Sequence, residues 1–532
     1  MKRRYTTRAA AALAAGALAL AAGCRDFLDV NDNPNGPQSV TSNLYLAPML
    51  HWMVTTPQFD GRFIGLYTQQ FFTTNSAFSP GQTFGRMGYD PLSDNGGEAW
   101  RTTYWVFGQN LIDMMDKAEA EQRWDLLGVG QVIKAWGWQM ATDASGEIIL
   151  KEAFEPGKTA FTFDKQEDVY AEIQRLLGEA VKNLGRADGA VDAAYLGRTD
   201  RMYNGDRLKW RKLAYGLLAL NLNHYSNKSS YNPDSVIKLV DQSFAGNADD
   251  ALLAFPGAST DNADISFLGR SRNNFSLVRQ TQFVVNLMNG TAFGGVVDPR
   301  MSRMLAPSAD GAYRGMDVNV LTTGGLAPAL QPRNFYGYAD AGGLQQPGRY
   351  LFADKARLPV ITYAQLQFIK AEAAFRKGDR ATALAAYRNG VSAHIDWVND
   401  RNRDDNQSPT QITAAEKATF LAAPAVVPTS PANLTLTQIM SQKYIAQWAW
   451  GHYELWTDMR RYNYTGVDPT TGRQVYPGFA PPTTLYADNA GRTVQRLRPR
   501  FNSEYVWNRQ GLEAIGGLAP DYHTVPLWIT QP

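Results

Sequence analysis

Apolar residues recur along much of this chain at steps of three and four, the spacing that lines up side chains on one face of an α-helix. Tyr104, Phe107, Leu111, Met114, Met115 and Ala118 form one such stripe, with Asp113, Asp116, Lys117 and Glu119 on its polar side. Val169, Ile173, Leu176, Leu177, Ala180, Val181 and Leu184 form a second. Asp164 and Asp168 stand near its start, where the helix dipole favours acids. The same spacing predicts helices over 130–143, 209–225, 364–376, 380–397 and 437–461. Strict two-residue alternation is scarce, so the expected fold class is mainly α.

Two neighbouring helices resemble a repeat unit. Ala371, Gly378, Ala383, Tyr387 and Gly390 place small residues and one aromatic where a tetratricopeptide pair has them, so that two antiparallel helices can approach closely. Residues 129–184 fit a second pair, with a longer connection around 145–163. Stacked pairs would make a curved scaffold. The periodicity breaks near 75–97, 257–274, 306–357 and 399–433. Loops this long inside a folded domain are functional or disordered, and their aromatic content argues against disorder.

The N-terminus carries an address. Lys2, Arg3, Arg4 and Arg8 precede an apolar run from Ala9 to Ala22. That run is too short to span a bilayer and fits the hydrophobic region of a signal peptide. Gly23 and Cys24 follow, and small residues before a cysteine resemble a bacterial lipobox. Residues 1–23 then read as a lipoprotein signal peptide and Cys24 as the lipidated new N-terminus. Ala21 stands where a Leu is usual, with Leu20 one place early. Acylation at more than one point anchors stably. Residues 24–40, rich in Asn, Asp, Gly and Pro, read as a tether. Started at Asp29, a calcium loop would meet Pro34 and Val40 in place of its glycine and glutamate; started at Asn31, Gly36 fits but the first and twelfth positions do not. Residues 41–532 form the expected single domain.

Composition narrows the partners. The 532 residues carry 52 Lys and Arg against 50 Asp and Glu, which excludes the basic excess of a nucleic-acid binder. The single cysteine excludes an intramolecular disulfide and a multi-cysteine zinc site. His51, His224, His394, His452 and His523 never stand at the spacing of a metal-binding helix pair. No nucleophile elbow or phosphate loop is present. No enzyme activity, cofactor or metal is therefore expected.

Several strings, in this order, resemble the SusD/RagB family of nutrient-binding outer-membrane lipoproteins. They are Cys24 with DFLDVNDNPNGP (26–37), ATDASGE (141–147), DKQEDVY (164–170), YNGD (203–206) with Lys209-Trp210, and DPR (298–300). Residues 368–378, QKYIA (442–446), WTDMRR (456–461) and RPRFNSEYVWN (498–508) complete the set. Ile148-Ile149-Leu150 stands where the family more often has a Pro. The resemblance implies a SusD-like helical scaffold on the cell surface, anchored in the outer membrane by its lipid. It implies a SusC-like TonB-dependent β-barrel transporter as partner, and capture of oligosaccharides or peptides without catalysis. The alternative is a tetratricopeptide-like scaffold lipoprotein that assembles other proteins at the outer membrane.

A sugar binder needs flat aromatic platforms for ring faces and polar groups for ring edges. The expected ligand residues are Asn75, Phe84, Tyr89, Phe293, Tyr313, Tyr336 and Tyr338, with Phe78, Asp90 and Phe335 beside them. Trp456, Asp458, Arg460 and Arg461 read instead as a structural cluster, one Arg pairing with Asp458 or Glu504 to lock the C-terminal segment. Adjacent residues point about 100° apart on a helix, so the two Arg need different partners.

Overall fold

The computed structural model describes residues 40–73, 83–90, 93–259, 261–337 and 348–532. Cys24, the tether up to residue 39, Asn75, Phe78 and Tyr338 lie outside the described residues. The helical stripes of the sequence form helices. The ones that position the site are α1 (Leu46–Tyr67), α2 (Glu98–Arg101), α3 (Gly108–Ala120), α4 (Trp124–Ser145), α5 (Gln166–Gly185) and α6 (Arg207–Asn223). Further along come α7 (Tyr363–Lys377), α8 (Arg380–Arg401), α9 (Leu436–Gln447) and α10 (His452–Arg461).

The two expected pairs are present. In α4 and α5 the backbones close up over Gly128, where a Cβ would stand 2.6 Å from Leu184 Cγ. In α7 and α8 the turn is Gly378, at a left-handed φ of 89°, and Asp379 caps α8 through Thr382 N. A Cβ on Gly390 would lie 2.9 Å from the Phe368 ring, so the small residue of the repeat pattern marks a close crossing. Among the described residues four short strands pair antiparallel, Phe71–Thr73 with Val278–Gln280 and Ala251–Ala254 with Arg357–Ile361. One continuous apolar core runs from Leu46 to Leu497.

Three expectations change. The predicted helix over 437–461 is broken into α9 and α10. At the break Ala449 takes φ 71°, its N–H donates to Gln70 Oε1, and Trp448 and Trp450 are buried on either side. The burial of two indoles outweighs continuation of the helix. The stripe from Tyr104 is likewise split: Thr102–Phe107 winds as a π-helical turn and only Gly108–Ala120 is α-helical. The loop expected at 399–433 contains a helix, Ala414–Ala422, closed by a Thr413–Glu416 capping box. Helix α1, which no stripe had marked, is largely buried and carries Pro57 inside it. Among the described residues no helix is long and apolar enough to cross a membrane.

Candidate functional site

The family-like strings build the frame. In the 203–206 string, Asp200 is fully buried and accepts from Met202 N, Tyr203 N, Gly205 N and the Trp210 indole at 2.9–3.0 Å. Asp206 caps α6 through Leu208 N and Lys209 N. At the C-terminus, Trp456 donates to Tyr464 Oη at 2.7 Å, and the Arg460 guanidinium stacks 3.7 Å over its ring. Arg460 then donates to the carbonyls of Asp143 and Gln495, both at 2.8 Å. Arg461 turns the other way, to Asp458 at 2.6 Å and Glu372 at 2.8 Å. Glu504 takes no part in this cluster and lies beside Trp100 and Asn508.

Four of the expected ligand residues are core. Phe84, Tyr89, Phe293 and Tyr336 are at most 3% exposed, as is Phe335. Phe84 packs on Phe63, Tyr67 and Tyr89. The Tyr336 hydroxyl donates to Leu268 O at 3.0 Å. Tyr313 is half-buried. These rings pin their loops to the body, because an aromatic side chain gains more from close packing than from standing in water. Phe84, Tyr89, Phe293 and Tyr336 are therefore anchors in the core rather than exposed platforms.

A different set of aromatics lines an open cleft of about 610 Å³, within the usual size of a ligand pocket. Its floor is Trp100 and Tyr104, one turn apart, with ring centroids 4.8 Å apart. The Tyr104 hydroxyl donates to Ile149 O at 2.6 Å and holds the ring in place. The wall is Phe154 and Phe161, from the connection between α4 and α5. Phe154 takes φ 68°, a left-handed value costly for a residue with a Cβ and one that clusters at functional sites. Trp105 stands at the rim, 68% exposed, in the π-helical turn. Single π turns are frequent at functional sites. Nearby, Trp507 is 77% exposed and directly precedes Asn508, whose side chain accepts from Phe161 N at 3.0 Å.

The cations of this cleft are paired. Arg101 holds Glu98 at 2.5 Å and stacks 4.4 Å over the Trp105 ring. Lys158 holds Glu152 at 2.8 Å, and Arg500 holds Asp94 at 2.7 Å. Burial pushes the Glu504 carboxyl up, against hydrogen bonds from Asn508, Ser503 and Trp100. The cleft is thus lined mainly by aromatic rings, and none of its cations is free. Sequence reasoning missed it. The available signal was Trp105, a large ring one residue off the apolar stripe that Tyr104 begins.

Among the described residues one grouping offers metal-like ligands: Asp143, His224 and Glu454. Opposite nitrogens of the His224 ring serve the two acids. Nε2 is 2.7 Å from Glu454, and Nδ1 is 3.6 Å from Asp143 and 2.8 Å from the Tyr170 hydroxyl. Lys443 already holds the other oxygen of Glu454 at 3.2 Å. Burial alone would lower the ring's pKa; the charges of Glu454 and Asp143 outweigh it and raise it to about 9. The trio holds a proton between two acids and is part of the core's charge balance.

A rigid helical body that presents an open aromatic cleft is the arrangement of a ligand-binding protein. A sequence model of the SusD-like family, described as starch-binding and associating with the outer membrane, matches residues 34–481. The chain belongs to this family of outer-membrane nutrient-binding proteins. Solved structures share the fold. A SusD/RagB family protein from Bacteroides thetaiotaomicron is 20% identical with a TM-score of 0.65, covering 92% of this chain and 99% of its own. A SusD homolog from Bacteroides fragilis is 17% identical with a TM-score of 0.70, covering 93% and 100%. A chitin-binding SusD homolog from Flavobacterium johnsoniae is 20% identical with a TM-score of 0.64, covering 92% and 98%. No curated protein matches the chain.

Proposed function

We propose that this protein captures oligosaccharides at the cell surface in the cleft of Trp100, Tyr104, Trp105, Phe154 and Phe161. It then passes them to a SusC-like TonB-dependent β-barrel transporter, without catalysing a reaction. The observation that carries the reading is the cleft itself: the exposed Trp105 ring, the half-exposed rings of Tyr104, Phe154 and Phe161 over a buried Trp100, cations already paired, and a volume of about 610 Å³. Rings of this kind suit the apolar faces of sugars. The polar edges of the cleft, Arg101, Lys158 and Ser503, suit hydroxyl groups. The family's starch-binding description and the chitin-binding relative support a glucan or an aminoglucan as the first ligand to try. Cys24 would be the lipid-bearing residue that holds the protein at the membrane.

Trp105→Ala is the direct test, because a ring 68% exposed can be removed without opening the core. Titration calorimetry with malto- and chito-oligosaccharides should show affinity falling about tenfold, the worth of one aromatic stacking contact. The far-ultraviolet circular dichroism spectrum should not change. Equal affinities for wild type and variant would move the site to another face.

A further inference from the structure

One buried carboxylate holds the floor of the aromatic cleft from beneath. Helix α2 carries Trp100 and Arg101 into the cleft, and it is a single turn. Its first N–H groups need acceptors, as at any helix start. The residue before it is Gly97, which has no side chain to offer one. Asp60, on α1, supplies the acceptors instead. Its Oδ1 accepts from Glu98 N at 3.2 Å and its Oδ2 from Ala99 N at 2.9 Å. The Tyr453 hydroxyl of α10 donates to the same Oδ2. Asp60 is fully buried. Three donors thus converge on two oxygens, an arrangement that suits a charged carboxylate.

The surroundings oppose that charge. Burial raises the Asp60 carboxyl most, and the Glu98 carboxylate adds to the rise. The hydrogen bonds from Tyr453, Ala99 and Glu98 pull it down, and the balance leaves it at about 7. Arg62, two residues on, is attracted by Asp60 and Glu98, and its guanidinium rests 4.3 Å over the Phe59 ring. Tyr89 also faces Asp60, and burial keeps that phenol protonated. His452 packs against the adjacent Gly61, and burial pulls it to about 3, so its ring is neutral. A carboxylate this deep is costly, and such groups concentrate at functional sites. We propose that Asp60 is a positioning residue of the aromatic cleft: its carboxylate sets the start of α2, and with it Trp100 and Arg101, for the ligand. Protonation turns one acceptor into a donor among three donors and strips the remaining contacts of their charge. The start of α2 then loosens, and the cleft binds less well in acid than in weak base. The inference rests on the reading of the aromatic cleft as an oligosaccharide site.

Two measurements on the mature protein test it. The first needs no ligand: hydrogen exchange by mass spectrometry over residues 94–104, corrected for the intrinsic pH dependence of exchange. Protection there should fall about fivefold from pH 8 to pH 5.5, the difference between a charged and a neutral hydrogen bond. The second is titration calorimetry with maltohexaose and chitohexaose, both uncharged. Affinity should fall by a similar factor over the same range, with a midpoint at about pH 7. Asp60→Asn should bind at pH 8 as the wild type binds at pH 5.5, and its affinity should not follow pH. Tyr453→Phe is a second route, independent of how Asp60→Asn folds. It removes a hydroxyl that favours the charged form, so the midpoint should move to higher pH. Wild-type protection or affinity that is equal at the two pH values would overturn the inference. So would an unmoved midpoint in Tyr453→Phe. A pH dependence that survives in Asp60→Asn would assign the titration to another acid, such as Glu504 of the cleft, and would overturn it too. Trp105→Ala separates the two readings. If it weakens both probes while wild-type affinity ignores pH, only the role of Asp60 falls. If it changes nothing, or neither probe binds the wild type, the cleft reading falls whatever the exchange shows.

Discussion

At the scale of single residues, His224 shows how far context moves a side chain from its ordinary chemistry. Its sequence neighbours say nothing unusual. In the fold both ring nitrogens face oxygens, and Glu454 and Asp143 hold its proton up to a pKa of about 9. A free histidine titrates near 6.5. The folded pKa is the higher one, so the stabilisation is fully present below about pH 6.5 and disappears as the pH rises through about 9. Unfolding by urea at pH 6 and at pH 9.5 should show the wild type losing stability, and His224→Gln should flatten that dependence. Parallel curves for the two proteins would mean that His224 is neutral in the core. The aromatics of the ligand reading belong to this scale too. Tyr336 and Trp105 are equally plausible as platforms in a list of residues. One is fully buried and the other stands in solvent, because burial depends on what the loops pack against.

At the scale of elements, local sequence was a good guide where a capping or close-packing rule applies. Gly378 ends one helix and Asp379 caps the next, in the gap between the two predicted helices. The 203–206 string owes its form to one carboxylate, Asp200, which gathers four N–H groups. Gly205 is required there, since at φ 87° a Cβ would stand 2.1 Å from Ala193 O. In Asp200→Asn one acceptor oxygen becomes a donor facing two donors. Two buried N–H groups lose their partner, at a cost of about 3 kcal/mol. Urea titration should show the midpoint falling with its slope unchanged; a change below about 1 kcal/mol would remove the hub role. The break between α9 and α10 was not legible. Apolar spacing continues through it, and the break comes from burying Trp448 and Trp450 against distant parts of the chain, where Gln70 accepts from the Trp448 indole and from Ala449 N.

At the scale of the whole molecule, the described body begins at Val40, whose carbonyl accepts from Lys117 Nζ at 2.9 Å. The reading of Cys24 as the lipid anchor is tested ahead of it. Cys24→Ala should move the protein from the membrane to the soluble fraction. From gently solubilised membranes the wild type should bring down a TonB-dependent β-barrel. Membrane retention of the variant would sink the lipid-anchor reading, and recovery of the wild type alone would sink the transporter partnership.

The sequence by itself determined the helical class, the two helix pairs, the family and the expected export and anchoring. Those follow from local periodicity, small-residue spacing and short strings, which act within a few residues of one another. Only the tertiary structure decided which aromatics face solvent and which histidine holds an extra proton. Each of those depends on groups far apart in the chain. Trp100 meets Glu504, and His224 meets Glu454. Burial and charge balance are sums over neighbours in space, and a chain read residue by residue does not contain them.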